Sequence, residues 1–422
     1  MAYEGARLIT GLPAAPIEDA VLLVADGVVT AVGARGDLTP PAAARRVDLS
    51  GRTVMPALVS LHGHVGFQDG LSYAAGNYTR ANIIDHLRRY AYYGVGTIVS
   101  LGTDAGDAAF DIRDEQAAAL PATARLRTAG RGLAAPNAGP GALALRGSAY
   151  GVTSAEQARG YVAELAERAV DVVKIWVDDR GGTVQKLDPV FYRAVIDAAH
   201  ARGLRVVAHV CYHDDAWELV RAGVDGLAHL VRDREMEAAL IAAIAERDVF
   251  VMPNLGVSER RLHAGAPGWL DDPFLAESVP AAVRRRAADA LRAQAGDAPG
   301  ARQRYAWMER SLEQLAAAGA QVVLGADSGV RDHFFGYAEQ RELELMVAAG
   351  LTPAQAIVAA TSRAAEILAL DEVGSLAPGK SADFVVLDAD PLEDITNTRR
   401  IADVYLRGAR VDRAALRAGW AE

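Results

Sequence analysis

The sequence predicts an α/β protein: a (β/α)8 TIM barrel with a small β-sandwich domain built from both chain ends. Three observations carry this prediction. Eight short apolar runs alternate with amphipathic segments through the middle of the chain, short strands of a different rhythm stand at both ends, and polar residues interrupt the apolar runs at their C-terminal ends. A length of 422 residues suits a barrel with an accessory domain. The expected boundaries are 1–55 for the first part of the sandwich, 56–366 for the barrel, and 367–422 for the second part with a C-terminal tail.

The first strands are signalled by Ala20-Val21-Leu22-Leu23-Val24-Ala25, an Asp26-Gly27 turn, and Val28-Val29-Thr30-Ala31-Val32, which is a hairpin pattern. Inner strands are expected at 54–61, 96–101, 124–128, 171–176, 205–210, 226–230, 249–254 and 322–326. Between them, segments such as 154–168, 189–201 and 234–247 are rich in Ala, Leu, Glu and Arg, with apolar residues at helical spacing. Near-continuous apolar strands covered by helices fit a parallel sheet. An open doubly wound sheet is the alternative, and the number of units favours the barrel. Short strands return at Asp383-Phe384-Val385-Val386-Leu387 and Ile401-Ala402-Asp403-Val404-Tyr405-Leu406, the latter followed by an Arg407-Gly408 turn. Two connections, 130–153 and 255–300, are long enough to be read as lids or binding loops. The second carries Arg284-Arg285-Arg286, read as a solvated helix face in preference to an anion clamp.

Composition narrows the function. The chain is 51% hydrophobic and 23% charged, as a folded globular protein should be. Its 44 Lys+Arg against 54 Asp+Glu give a net charge of −10, which argues against a nucleic-acid partner. The single cysteine, Cys211, excludes an intramolecular disulfide and a cysteine-rich zinc module. Residues 1–12 lack a basic stretch followed by a long apolar run, and no segment approaches ~18 uninterrupted apolar residues. A cytoplasmic protein acting on a small molecule, with no membrane contact, is therefore expected.

The strand ends hold the chemistry. His62 and His64 close the first inner strand, two residues apart and so on one side of it. Lys174 lies inside the fourth, His209 ends the fifth, His229 ends the sixth, and Asp327 follows the eighth. Singly, each has an ordinary explanation: a core histidine, an aspartate capping a helix, a lysine paired with Asp178. Together, all six converge on the C-terminal face of a barrel, where such folds keep their active sites. An amine amid Val172, Val173, Ile175 and Trp176 would also be costly to bury unpaired.

The run Met55-Pro56-Ala57-Leu58-Val59-Ser60-Leu61-His62-Gly63-His64 resembles the His-x-His signature of the amidohydrolase superfamily. The resemblance extends through Lys174, His209, His229 and Gly325-Ala326-Asp327. It continues into Gly374-Ser375-Leu376-Ala377-Pro378-Gly379-Lys380-Ser381-Ala382-Asp383-Phe384, which looks like the family's link back into the sandwich. Imidazolonepropionase-like and prolidase-like members are the most similar. The resemblance implies two divalent metals, with His62, His64 and Asp327 on the more buried ion and His209 and His229 on the more exposed one. It further implies that Lys174, N-carboxylated by carbon dioxide, bridges them. Zinc is the first expectation; manganese, cobalt and iron suit the same donors. Ser60 and Ala57 depart from the family's usual aspartate and glycine, and a missing carboxylate near His62 would weaken its orientation.

Such a centre implies hydrolysis of a C–N bond in an amide, dipeptide-like or cyclic amide substrate, by a metal-bridging hydroxide with Asp327 as catalytic proton shuttle. Substrate contacts are expected from Gln68, Tyr73, Tyr78, Tyr212 and His333, with Phe67 and Asn77 as further wall residues. Cys211 is read as a small buried hydrophobe, His200 as solvent-facing, and His213 and His263 as structural. The alternatives are a mononuclear deaminase of the same superfamily, a lactone or carbamate hydrolase, and a non-catalytic scaffold. Kinship also implies a homo-oligomer.

Overall fold

The computed structural model describes residues 1–263, 265–293 and 298–421. The expected hairpin forms between Ile17–Ala25 and Val28–Ala34, antiparallel with Ala25 opposite Val28. Asp26 (φ 50°) and Gly27 (φ 78°) both turn through the left-handed region, as a two-residue hairpin loop demands. Both chain ends then enter one eight-stranded sheet. Its order is Ala409–Arg410, Ile401–Leu406, Phe384–Leu387, Thr53–Pro56, Ala2–Leu8, Ile17–Ala25, Val28–Ala34, with Arg46–Asp48 also pairing on Ala2–Leu8. The two terminal groups meet where Phe384–Leu387 runs antiparallel to Thr53–Pro56.

This pairing corrects one expectation. The run 54–61 is two strands: Thr53–Pro56 belongs to the terminal sheet, whereas Leu58–Gly63 starts the parallel one. Apolar residues continue through Ala57, so the change of sheet leaves no mark on the hydrophobic pattern.

Leu58–Gly63, Val95–Ser100 and Arg125–Thr128 form a parallel three-stranded sheet. A second parallel sheet has the order Tyr150–Gly151, Leu133–Ala134, Val173–Val177, Val206–Val210, Gly226–Ala228, Phe250–Met252. The eighth expected strand is reduced to bridges: Val322 pairs with Val251, Leu61 N donates to Leu324 O (2.9 Å), Asp327 N donates to His62 O (2.9 Å), and Ser328 bridges Gly63. The segment 322–328 thereby joins the outer strands of the two sheets. At the other seam, Asp171 N donates to Thr128 O (2.9 Å).

Val59, Leu61, Val99, Leu101, Val207, Phe250, Met252 and Val323 from these segments form one buried apolar cluster. Helices cover the outer faces with a second, larger apolar cluster. Ala155–Glu167 and Pro189–His200 form where expected. Ser154 accepts from Gln157 N at the first N-terminus, and Asp188 accepts from Val190 N at the second. The third expected helix is shorter, Ala238–Glu246.

Neither long connection is structureless. The first contains Leu133–Ala134, a helical turn at Leu143–Arg146, and Tyr150–Gly151. The second contains the helix Ala281–Ala293; residues 264 and 294–297 lie outside the described residues. The arginine triplet is only partly solvated: Arg285 is exposed, while Arg286 pairs with Asp332 (2.6 Å) and Arg284 binds Leu270 O (3.0 Å). No described helix is long and apolar enough to cross a membrane.

Candidate metal centre

Strand ends bring His62, His64, His209, His229 and Asp327 to one cavity, and Lys174 stands within Val173–Val177, close enough to His62 and Asp327 to act on their charge. Leu58–Gly63 carries His62 and ends beside His64. Asp327 Oδ1 lies 2.8 Å from His64 Nε2 and 3.2 Å from His62 Nε2, and the donor atoms of these three fall within 4.8 Å of one another. His229 Nε2 is 3.9 Å from Asp327 Oδ2, and the His209 and His229 rings are 4.5 Å apart. Gly226–Ala228 stops one residue before His229, whose φ of 77° turns the backbone out of the strand; Asp327 (φ 59°) does the same. Both are non-glycine residues held in a sparsely populated region of backbone space.

Hydrogen bonds fix what the imidazoles present. Asn254 Oδ1 accepts from His229 N (2.9 Å) and Asn254 Nδ2 donates to Gly325 O (2.7 Å), so the amide orientation is determined. That oxygen faces His62 Nδ1 at 3.3 Å while Asp327 Oδ1 faces Nε2 at 3.2 Å, so the ring is held from both sides. Asp178 Oδ2 lies 3.0 Å from His209 Nε2 and assigns the proton there, leaving the Nδ1 lone pair of His209. His64 Nδ1 is held at 2.9 Å by Thr103 Oγ1.

The electrostatics agree. Burial pushes His62, His209 and His229 well below the usual histidine range, so these imidazoles are neutral at pH 7. Burial alone would raise Asp327, but His62 and His64 beside it outweigh that and keep its carboxyl below the usual carboxylate range. One Asp327 oxygen is thus shared by His62 Nε2 at 3.2 Å and His64 Nε2 at 2.8 Å, a convergence of donor atoms that suits a divalent cation.

Lys174 is fully buried, and its Nζ has no hydrogen-bond partner; His229 Nδ1 is likewise unpartnered. Burial pulls the lysine down to about 7, Asp327 opposing and Arg180 adding to the effect. Asp178, the partner its sequence neighbourhood offers, is instead held by Arg180 (3.1 Å) and His209. Neutral imidazoles, one ionised carboxylate and a buried amine brought down to about 7 make a donor set that suits divalent metals.

A cavity of about 540 Å³ opens over these residues, lined by His62, His64, His209, His229, Asp327 and a rim of arginines. The expected substrate contacts mostly lie elsewhere. Gln68 donates to Gly70 O (2.6 Å) and Ser72 O (3.1 Å), and with His333 it lines a separate cavity of about 100 Å³. His333 Nε2 bonds Ala326 O at 2.9 Å. Tyr78 packs on Phe67 and Asn77 bonds Phe67 O, so both shape their own loop. Tyr212 donates to Asp179 (2.6 Å) and does not line the large cavity. Tyr73 sits under Arg331, close enough to Asp327 to feel its charge. Cys211, read as a buried hydrophobe, is half-buried and lines the cavity. His200 bonds Asp225 at the surface, His213 lies against Asp214, and His263 against Glu259.

Sequence reasoning misses Asn254 and Thr103, which orient ligands, and Glu339. The last answers the departure at Ser60. Helix Tyr337–Ala348 places the buried Glu339 carboxylate 3.4 Å from Ser60 Oγ and 2.5 Å from Ser328 Oγ, so a carboxylate does stand behind the first strand. His62 itself is oriented by Asn254.

Comparison with known proteins gives a consistent answer. The sequence profile described as the amidohydrolase family matches residues 53–411. The chain is 28% identical to an imidazolonepropionase of Deinococcus radiodurans over 431 residues, covering 94% of this chain and 92% of the relative. It superposes on a putative prolidase from Bifidobacterium longum with a TM-score of 0.77 at 27% identity, covering 100% and 98% of the two chains. It superposes on phenylurea hydrolase B with a TM-score of 0.77 at 25% identity, covering 99% and 98%. With its ligand cluster, its parallel strands and a profile match over most of its length, this chain belongs to the amidohydrolase family.

Proposed function

We propose that this protein is a metal-dependent hydrolase of a C–N bond in a small amide, dipeptide-like or cyclic amide substrate. The carrying observation is the convergence of the His62, His64 and Asp327 donor atoms within 4.8 Å of one another, beside a buried amine with no hydrogen-bond partner among the described residues. The relatives support the reaction class: imidazolonepropionase, prolidase and phenylurea hydrolase are the names of proteins similar along nearly their whole length. The cavity volume of about 540 Å³ suits a small molecule.

In this reading His62, His64 and Asp327 hold one divalent ion and His209 and His229 a second, zinc being the first choice. In its neutral form the Lys174 amine would add carbon dioxide, forming an N–C bond and releasing one proton, and the resulting carbamate would give the site a further carboxylate-like donor. When bound, such ions lower the pKa of water and polarise a carbonyl oxygen. The chain's own residues do the rest. Asn254, Asp178 and Thr103 hold the imidazole rings, and Asp327 accepts the proton of the attacking water and returns it to the leaving nitrogen. The architecture belongs to the same reading: a closed (β/α)8 barrel over 56–366, joined through the seams at 322–328 and 128–171, with a β-sandwich from 1–55 and 367–422. A cytoplasmic homo-oligomer completes it.

Asp327→Asn should lower turnover of a responsive amide by about 10²-fold or more while the protein still binds metal. Elemental analysis of the wild type should give about two metals per chain, and Lys174→Ala about one. Full activity in Asp327→Asn removes the proton-shuttle role. One metal in the wild type points to the mononuclear deaminase instead.

A further inference from the structure

The rim of the large cavity holds an arc of like charge. Arg180, Arg232, Arg260 and Arg261 all line it, from three different connections of the barrel-like core. Burial depresses the guanidinium of Arg180, and Arg232 depresses it further against the pull of Asp178. Arg261 is depressed by burial and then by Arg232, and Arg260 is brought down to about 10 by burial and then by Arg261. Each cation thus feels the next, and both ends of the arc, Arg180 and Arg260, feel Asp327 at the metal ligands. All four stay protonated at neutral pH.

Among the lining residues the counter-charges are Asp178, Asp327 and Asp332, the last two acting on Arg260 without pairing with it. Arg180 pairs with Asp178 (3.1 Å), a carboxylate it shares with His209. Among the described residues, Arg232, Arg260 and Arg261 have no ion pair. Arg232 donates to Val210 O (2.9 Å), and Arg260 is fixed by Val257 O (3.2 Å) and Arg331 O (2.7 Å), with guanidinium N–H groups to spare. Backbone bonds aim Arg232 and Arg260 without neutralising them, and Arg261 stands exposed at the rim beside them. Mutually repelling cations held over a reaction site are a cost to the empty protein, and an anionic ligand relieves it. One carboxylate can engage two adjacent guanidiniums, but three unpaired ones in a row leave room for a second.

We propose that the substrate is dianionic, an amide bearing two carboxylates that the arc Arg180–Arg232–Arg261–Arg260 grips on either side of the scissile bond. The inference rests on the hydrolase reading for the word amide, and on the cavity alone for the charge.

Its test is binding, not turnover. Metal-loaded protein is titrated calorimetrically with glutarate, glutaramic acid and glutaramide, which share a length and carry two, one and no carboxylates. Affinity should fall about tenfold or more with each carboxylate lost, and added salt should weaken glutarate most. Arg261→Gln, which breaks no ion pair among the described residues, and Arg260→Gln should each weaken glutarate about tenfold and leave glutaramide unchanged. Three probes binding alike, or glutarate held as tightly by both variants, would overturn the proposal, the second outcome placing the anion on the metals alone. Failure of glutarate to bind at ~10 mM would overturn it as well. If no amide is hydrolysed while glutarate binds in this charge-dependent way, the hydrolase reading falls and the anion site stands.

Discussion

Asn254 shows how much one side chain can organise. It accepts the His229 backbone N–H, faces His62 Nδ1 with the same oxygen, and donates to Gly325 O two residues before Asp327. It thereby ties three ligand-bearing strand ends together. Asn254→Ala should lower metal affinity about 10–100-fold, read by competition with a chelator. Asn254→Asp keeps the accepting oxygen but loses the donor to Gly325 O, and should fall between. Unchanged affinity in Asn254→Ala would mean that the His62 ring is held by packing alone. The six proposed ligand positions are legible in the sequence because a histidine or aspartate stands out at the end of an apolar run and Lys174 inside one. Asn254 obeys the same rule at the end of 249–254, but an amide is not a ligand type, so a search for ligands passes it by. The arginines of the rim are less legible still. Arginine is common on loops, and only folding reveals which of them share a cavity.

At the scale of elements, the strand that brings His229 to the site depends on a close approach. A Cβ on Gly226 would meet the Phe250 ring at 2.2 Å, and Phe250 is fully buried between the sheets. Gly226→Ala should therefore destabilise the protein by about 1–3 kcal/mol in urea unfolding, through displacement of that ring. Phe250→Leu should cost less in the Gly226→Ala background than alone, because the clash it relieves exists only there. Additive losses would show that the ring has room to move. Element types follow from periodicity: most inner strands and two of the three cited helices form near their expected places. Their ends are another matter. The expected strands 226–230 and 249–254 overrun the observed Gly226–Ala228 and Phe250–Met252. Leu230 and Val231 keep the run apolar, while His229 and Asn254 have already left extended geometry. Left-handed backbone at non-glycine residues has little sequence signature, and here it is what aims the site.

For the whole molecule, one helix couples the core to pH. Tyr337–Ala348 sends two buried carboxyls inward, Glu339 to Ser60, Ser328 and Gly336 N, and Glu342 to Leu255 N (2.7 Å) and Gly256 N (2.8 Å). Burial pushes Glu339 up to about 7 and Glu342 up to about 8, in each case against hydrogen bonds that favour the charged form. An unfolded glutamate titrates at about 4.3, so between that pH and the raised values the native state holds protons that the unfolded state has released. Stability from these two groups is therefore greatest at acidic pH, declines as pH rises, and levels off above about 8. Glu342→Gln cannot ionise, so its stability relative to wild type should improve between pH 5 and pH 9 by a few kcal/mol, at about 1.4 kcal/mol for each tenfold difference in proton affinity between the folded and unfolded chains. The substituted amide turns an N–H donor toward one of two backbone N–H groups that need acceptors, which sets the variant back equally at every pH and leaves the trend readable. Urea unfolding of metal-free wild type and variant at both pH values gives the comparison, and a constant difference would mean that Glu342 is charged throughout. The same helix stands behind Leu255, the residue after Asn254, and behind Ser328, the residue after Asp327. Loss of these protons at alkaline pH buries charge beside those strand ends while tightening the hydrogen bonds to Leu255 N and Gly256 N. Amide exchange there should accordingly change with pH before the outer helices unfold.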